Sequence, residues 1–293
     1  MRTRIVLACI GAVLYVGRFT GLATASQPAV YYSFDTLGTT VEDLSGNGNN
    51  GTINGAVALD DAGYLGKCFA FNGSDSYVLL NRVIQDSFGI TAWIKTDVAG
   101  PAGTHAYEGS GLFWSDVAGG ANDFVVGVLG TKLSLFAGNP DTSVTSNEDV
   151  VTSEWMHIAA VRNTTAKTLN VYVNGAFDNK VSHSNTSALN ANPQLAIGAN
   201  TLDSRYYSGL IDEVRLYSRV LTDSQVATLY VGETPDFGKA ESPNPADGLV
   251  GLSTALLQWT KGDGAVQHDV YLGDDPDLTE ADRVASGSKN VFY

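Results

Sequence analysis

The sequence predicts an all-β protein, a sandwich or barrel, with one short helix closing its main domain and an incomplete second β module after it. Three observations carry this prediction. From Val30 to Tyr217 the chain is a series of short apolar runs split by Gly, Asn, Asp and Ser, the pattern of strands joined by turns. Glycine accounts for 32 of the 293 residues while charged residues make up only 16%, a balance that favours strands and turns over surface helices. Two distant segments, Tyr31 to Gly55 and Gly209 to Leu221, read as the opening and closing pieces of one domain.

The chain begins with the pattern of a secretory signal over residues 1–25. Arg2 and Arg4 precede an apolar run from Ile5 to Val16 that is too short to span a bilayer comfortably, and Ala23-Thr24-Ala25 forms a small-residue cleavage site. No later segment is apolar enough to span a membrane. The expected location is therefore secreted or at the cell surface. Cleavage leaves Cys68 as the lone cysteine, so no disulfide can form within the domain, and its apolar run reads as a site for a buried, inert thiol.

The main domain is expected over residues 28–232. Val30, Tyr32 and Phe34 share one face of the first strand, as do Ile90, Ala92 and Ile94 of a later one. Phe124 to Leu129 and Lys132 to Phe136 read as two strands joined at Gly130-Thr131. Trp155 to Arg162 and Thr168 to Val173 form a second hairpin, with Leu169, Val171 and Val173 on one face and Asn170 and Tyr172 on the other. Asn174-Gly175 is a turn signal, because both residues tolerate positive φ. Leu195 to Gly198 is a further short strand. Thr222 and Gln225 form a capping box, with Leu221 and Val226 placed as its hydrophobic staple, so a brief helix follows and ends near Gly232. Residues 233–245, punctuated by Pro235, Gly238, Pro243 and Pro245, read as a linker. Residues 246–293 read as a partial module, because an immunoglobulin-sized sandwich needs about 100 residues. The expectation is that the sequence is a piece of a larger multidomain protein.

The net charge of −14 argues against nucleic acid and anionic membrane as partners, since both are bound through basic patches. Period two along Leu210 to Tyr217 places Asp212 on the apolar face with Leu210, Val214 and Leu216, and Glu213 with Arg215 on the solvent face. A carboxylate facing a core is costly unless it is paired, hydrogen-bonded or metal-bound. Two readings stay open. Asp212 caps backbone amides of a neighbouring loop, or it binds Ca²⁺ together with oxygens of the Asn/Gly-rich loop that holds Asp35, Asp43, Asn47, Asn49 and Asn50.

From Val30 to about Tyr230 the chain resembles the laminin-G-like jelly-roll family, of the concanavalin A-like lectin/glucanase fold. The resemblance runs in order through YYSFD, DLSGNGNNGTING, YLGKCFAFNGSDSYVLL, FGITAWIKT, EWMHIAAVRNTTAKTLNVYVNG, PQLAIGA and YYSGLIDEVRLYSRVLTDSQV. It implies a two-sheet antiparallel jelly-roll sandwich with its first and last strands adjacent. It also implies a structural calcium where these termini meet, with Asp35, Asn47, Asn50 and Asp212 as the candidate ligands. The segment from Ala240 onward resembles, more weakly, the opening strands of a fibronectin-III-like module.

Hydrolases of this broad fold carry their carboxylates as Glu-x-Asp-x-x-Glu on one strand, and no such run occurs here. Asp212 and Glu213 are adjacent and cannot act as a pair. His105, His157, His183 and His268 lack metal-ligand spacing, and no G-x-S-x-G elbow or phosphate-binding glycine fingerprint is present. The expected function is thus that of a non-catalytic binding or adhesion module whose expected partners are polysaccharide, cell-surface glycans or a protein surface. An accessory domain of an extracellular carbohydrate-active enzyme and a structural spacer are the alternatives. The candidate ligand residues are Tyr107 and Trp114 on the long loop from Pro101 to Asn122, and Arg205 and Tyr206 on a second loop. The competing reading places Phe113 and Trp114 in a short strand that packs inward.

Overall fold

The computed structural model describes residues 27–235 and 237, and the backbone of strands at 13–17, 241–244, 258–260, 268–273 and 283–288. The chain divides into two compact units, one of residues 28–234 and one that joins residues 1–27 to 235–293. In the second of these, Val13–Gly17 pairs antiparallel with His268–Gly273, which pairs with Arg283–Ser288; Glu241–Asn244 pairs with Gln258–Thr260. The expected cleavage site and most of the expected linker and partial module lie outside the described residues. Among the described residues no helix is long and apolar enough to cross a membrane.

The unit of residues 28–234 is a two-sheet antiparallel jelly-roll sandwich, as the turn and strand pattern predicts. Its strands, in chain order, are β1 (Val30–Tyr32), β2 (Thr40–Val41), β3 (Gly51–Asn54), β4 (Ala58–Asp60), β5 (Cys68–Asn72) and β6 (Tyr77–Asn81). They continue with β7 (Phe88–Lys95), β8 (Ser110–Ser115), β9 (Phe124–Leu129), β10 (Lys132–Ala137), β11 (Thr142–Asp149) and β12 (Met156–Asn163). The last are β13 (Thr168–Val173), β14 (Ala176–Ser182), β15 (Gln194–Ile197), β16 (Ala199–Asn200), β17 (Arg205–Tyr206) and β18 (Ser208–Tyr217). The front sheet runs β11-β10-β9-β8-β15-β6-β3-β2, with β17 beside β8 and β16 beside β17. The back sheet runs β14-β13-β12-β7-β18-β5-β4, with β1 on β18. First and last strands are therefore neighbours, with Tyr32 opposite Val214 and Tyr31 opposite Arg215.

The core lies between the sheets. Val30, Tyr32, Phe34, Ile90, Ala92, Ile94, Leu169, Val171 and Val173 are all buried there, each on the face that period two assigns. The turn at Asn174 and Gly175 has positive φ at both residues (49° and 77°), as that dipeptide predicts.

Helix α1 (Asp223–Tyr230) starts at Thr222, whose side chain accepts the Gln225 N–H, while the Gln225 side chain accepts the Thr222 N–H at 3.0 Å. Leu221 and Val226 are buried beside this box. The helix lies against the outer face of the back sheet. Tyr172, on that face, is buried beneath it and donates to Asp223 at 2.8 Å, and Tyr230 stacks on Trp93.

One strand departs from simple alternation. Asp212 pairs with Trp93 and Arg215 with Thr91, so three residues of β18 span two of β7. This is a β-bulge at Glu213, whose φ is +52°. The extra residue resets the faces. Ile211, Val214 and Leu216 enter the core, and Asp212 shares the outer face with its partner Trp93. Period two without the bulge put Asp212 on the core side, and that expectation is corrected here.

Candidate functional site

Asp212 is fully buried although it lies on the outer face. The turn of residues 64–67 covers it: Tyr64 stacks on Trp93, and Asp212 Oδ2 accepts the Leu65 N–H at 3.0 Å. Its Oδ1 accepts the Glu213 N–H at 2.8 Å. Burial, the leading cause, pushes the carboxyl up to about 7, with the charges of Glu213 and Asp35 adding to the shift and the two amide bonds opposing it. Glu213 does pair with Arg215, at 2.6 Å, but in a buried setting where Tyr31 also donates to it, not in solvent.

The four calcium candidates fall into two groups. Asp35 and Asp212 both serve the 64–67 turn: Asp35 Oδ1 accepts the Lys67 N–H at 2.9 Å. Gly66, at φ +71°, lets that carboxylate approach, because a Cβ there would lie 2.3 Å from Asp35 Oδ1. Asn47 and Asn50 serve the loop of residues 43–50. Asn50 Oδ1 accepts the Asp43 N–H at 2.8 Å, and Asn47 Nδ2 donates to the carbonyls of Pro28 and Ala29. Asp43 closes the same loop through the N–H groups of Tyr31, Ser45 and Asn49. Calcium wants six to eight converging oxygens. Here Asp35, Asp212 and Asn50 spend side-chain oxygens on backbone N–H groups, Asn47 acts as a donor, and the four serve two separate loops, so they do not fit one calcium site. Among the described residues, no group of three or more His, Cys, Asp or Glu side chains is arranged to hold a metal ion.

The four ligand candidates, by contrast, meet on one surface, the outer face of the front sheet. Cross-strand register lines up Leu79, Ala196, Trp114, Val125 and Phe136 in one row across β6, β15, β8, β9 and β10. Cross-strand neighbours on one face touch, and these residues form an apolar floor with Ala106. Trp114 belongs to this floor: it is 1% exposed, faces away from the core that takes Phe113, and its Nε1 has no hydrogen-bond partner. It is thus neither an exposed platform nor a core residue. The segment expected to be a long loop contains a 3₁₀ turn (Ala106–Glu108) and the strand β8.

Half-exposed aromatic rings stand around that floor. Tyr107 meets Phe136 edge-on at 4.9 Å and stacks on His105 at 5.1 Å, and His105 Nδ1 lies 3.1 Å from Ser143 Oγ. Tyr206 lies 6.5 Å from the Tyr77 ring. Arg205 ties these two edges together, donating to the Tyr107 carbonyl at 2.7 Å and pairing with Asp203 at 3.3 Å.

One ladder step beyond Trp114 and Val125, the same face carries Asp116 and Asp123. Asp123 is buried, with Oδ2 accepting the Val117 N–H at 3.2 Å and Oδ1 lacking an N–H or hydroxyl donor. Burial first, then the hydrogen bond and charge of Asp123, push the Asp116 carboxyl well above the ordinary carboxylate range, and burial pushes Asp123 up as well. Sequence reasoning missed this pair, and Tyr77 and His105 with it. The usable signal was positional: Asp116 and Asp123 sit directly outside two strands that pair with Ser115 opposite Phe124.

Residues 72–227 match the family described as the concanavalin A-like lectin/glucanases superfamily. No curated protein matches the chain. Among solved structures, domain 4 of AbnA, a GH43 extracellular arabinanase from Geobacillus stearothermophilus, in complex with arabinotriose, is similar at 26% identity and a TM-score of 0.55. That match covers 70% of this chain and 98% of that one. The binding domain of botulinum neurotoxin DC in complex with SialylT is similar in fold at 13% identity and a TM-score of 0.54, over 75% of this chain and 54% of that one. The binding domain of Paraclostridial Mosquitocidal Protein 1 is similar at 15% identity and a TM-score of 0.53, over 84% of this chain and 63% of that one. The chain thus spans nearly all of the first, about half of the second and under two thirds of the third.

Proposed function

This chain belongs to the concanavalin A-like lectin/glucanases superfamily, and on that premise we propose that it is a non-catalytic module that binds glycans through the outer face of its front sheet. The observation that carries this is the convergence of Tyr107, Tyr77, Tyr206 and His105 around the Trp114 floor, with Arg205 between them. Sugar rings offer an apolar face and an equator of hydroxyls. Half-exposed aromatic rings beside planar polar groups complement both. The arabinanase domain, solved with arabinotriose at 26% identity, supports the same reading and an extracellular location. It also favours the variant in which this module serves a carbohydrate-active enzyme as an accessory domain. Export through residues 1–25 and a partial fibronectin-III-like module at 246–293 belong to the same proposal.

The test is a glycan array probed with the full chain, followed by calorimetry on the retained ligands. Wild type is expected to retain a defined set of glycans, and Tyr107→Ala to weaken that binding about tenfold, the equivalent of about 1.4 kcal/mol. A wild-type chain that retains nothing would leave a structural spacer as the function.

A further inference from the structure

The binding face is acidic, and its acidity is organised. Asp116 and Asp123 form its end wall, beside the Trp114 floor. Glu108 lies on the 3₁₀ turn beneath Tyr107, Asp141 on the turn between β10 and β11, and Asp203 on the turn before β17. Burial first, and then the charges of Asp141, Glu108 and Asp116, hold the Tyr107 proton more tightly, and the charge of Asp203 reaches Asp116. Among the described residues, the cations on this face are already engaged: Arg205 serves the Tyr107 carbonyl and the Asp203 carboxylate, and Lys132, on the same face of β10 as Phe136, pairs with Asp149. His105 shares its Nδ1 with the Ser143 hydroxyl. Trp114 Nε1 of the floor is buried and lacks a partner, and the buried Asp123 Oδ1 of the wall accepts no N–H or hydroxyl. One is an acceptor and the other a donor. A hydroxyl can answer either, because it both donates and accepts. An anionic group can only accept, and here it would approach carboxylates with no uncommitted counter-charge.

Resting on the glycan reading above, we infer that the ligand is a neutral glycan, and that the Asp116–Asp123 pair is the specificity-determining wall that admits hydroxyls and rejects carboxylate- or sulfate-bearing sugars. The wall works through like-charge repulsion on a face of low dielectric, where such juxtapositions discriminate strongly between partners.

The experiment compares matched pairs on the full chain by array and calorimetry: galactotriose against trigalacturonate, lactose against 3′-sialyllactose, and a neutral arabino-oligosaccharide series. Each acidic member is expected to bind at least about tenfold more weakly than its neutral counterpart, a gap of about 1.4 kcal/mol. For wild type that gap should narrow in high salt, because the exposed Asp141 and Asp203 carboxylates that share this face are screened. Asp123→Asn is expected to narrow it too. Asp116→Asn keeps an N–H donor toward Asp123, so it should fold and retain the gap. Loss of the gap in Asp116→Asn, or its persistence in a folded Asp123→Asn, would remove the pair as the specificity wall. An acidic glycan bound as tightly as its neutral counterpart, or a gap insensitive to salt, would overturn the neutral-ligand inference and leave glycan binding intact. Retention of no glycan at all would sink both.

Discussion

The Arg205 guanidinium donates to the backbone carbonyl of Tyr107 at 2.7 Å, joining two residues that lie 98 positions apart in the chain. Asn200 donates to the same carbonyl at 3.1 Å. Together they hold the 3₁₀ turn over the front sheet and set the orientation of the Tyr107 ring. Removing the guanidinium releases that ring without opening a core cavity. Arg205→Ala is therefore expected to weaken glycan binding about fivefold or more while moving the melting temperature little, because exposed ion pairs contribute only about 0–1 kcal/mol. Calorimetry and a melting curve on the same sample separate the two effects. A large loss of stability with unchanged affinity would show that Arg205 is only a fold contact.

Trp114 gives the opposite pattern. It is the largest side chain of the outer-face floor and is almost wholly buried. Trp114→Ala should cost about 3–5 kcal/mol by the cavity it leaves, read as a shift in the urea midpoint. Trp114→Phe removes a buried N–H that has no partner and should cost far less. If the two variants were equally destabilised, the floor packing described here would be wrong.

A pH-dependent cost is expected at Asp212. Its folded carboxyl is pushed up to about 7 from an ordinary value of 3.8, so between those values the folded state holds a proton that the unfolded state has released. The group's contribution is fully present below about pH 4, is lost as pH rises toward about 7, and stays lost above it. His157 acts in the reverse sense. Burial pushes it down to about 3, and it costs stability as pH falls below its ordinary range. The informative quantity is therefore the difference between Asp212→Asn and wild type. That variant should gain stability relative to wild type as pH rises from about 4 to about 7. EDTA should leave both melting curves unchanged. An EDTA-sensitive wild type would restore Asp35 and Asp212 as calcium ligands.

Cys68 supplies a simple probe of packing. Its thiol is buried in β5 and pushed up to about 12, chiefly by desolvation, with the Asp212 and Asp60 charges adding to the shift. A thiolate is the reactive form, so Cys68 should resist labelling by a thiol reagent in the folded chain and react on unfolding. Peptide mapping assigns the site, and rapid native labelling at Cys68 would contradict the packing of β5 under the 64–67 turn.

Local signals carried most of the fold. The Thr222 capping box, the Asn174-Gly175 turn and the alternation of Leu169, Val171 and Val173 each depend on residues a few positions apart. Each is found where the chain pattern places it. The place of Asp212 was not legible, because a single bulge residue, Glu213, shifts every side chain beyond it to the opposite face. The strand it pairs with across the bulge, β7, lies more than a hundred residues away.

The candidate site divides in the same way. By itself the sequence determined which residues have binding chemistry: Tyr107, Trp114, Arg205 and Tyr206 were legible as aromatic and planar polar side chains on irregular segments. Only the tertiary structure decided that they share one face, that Trp114 is its floor, and that Asp116 stands opposite Asp123 at its end. The physical reason is that residue type and short-range periodicity are local properties, while register between distant strands is set by the packing of the whole sandwich. Two carboxylates become a hydrogen-bonded wall only when that register brings them together and buries Asp123.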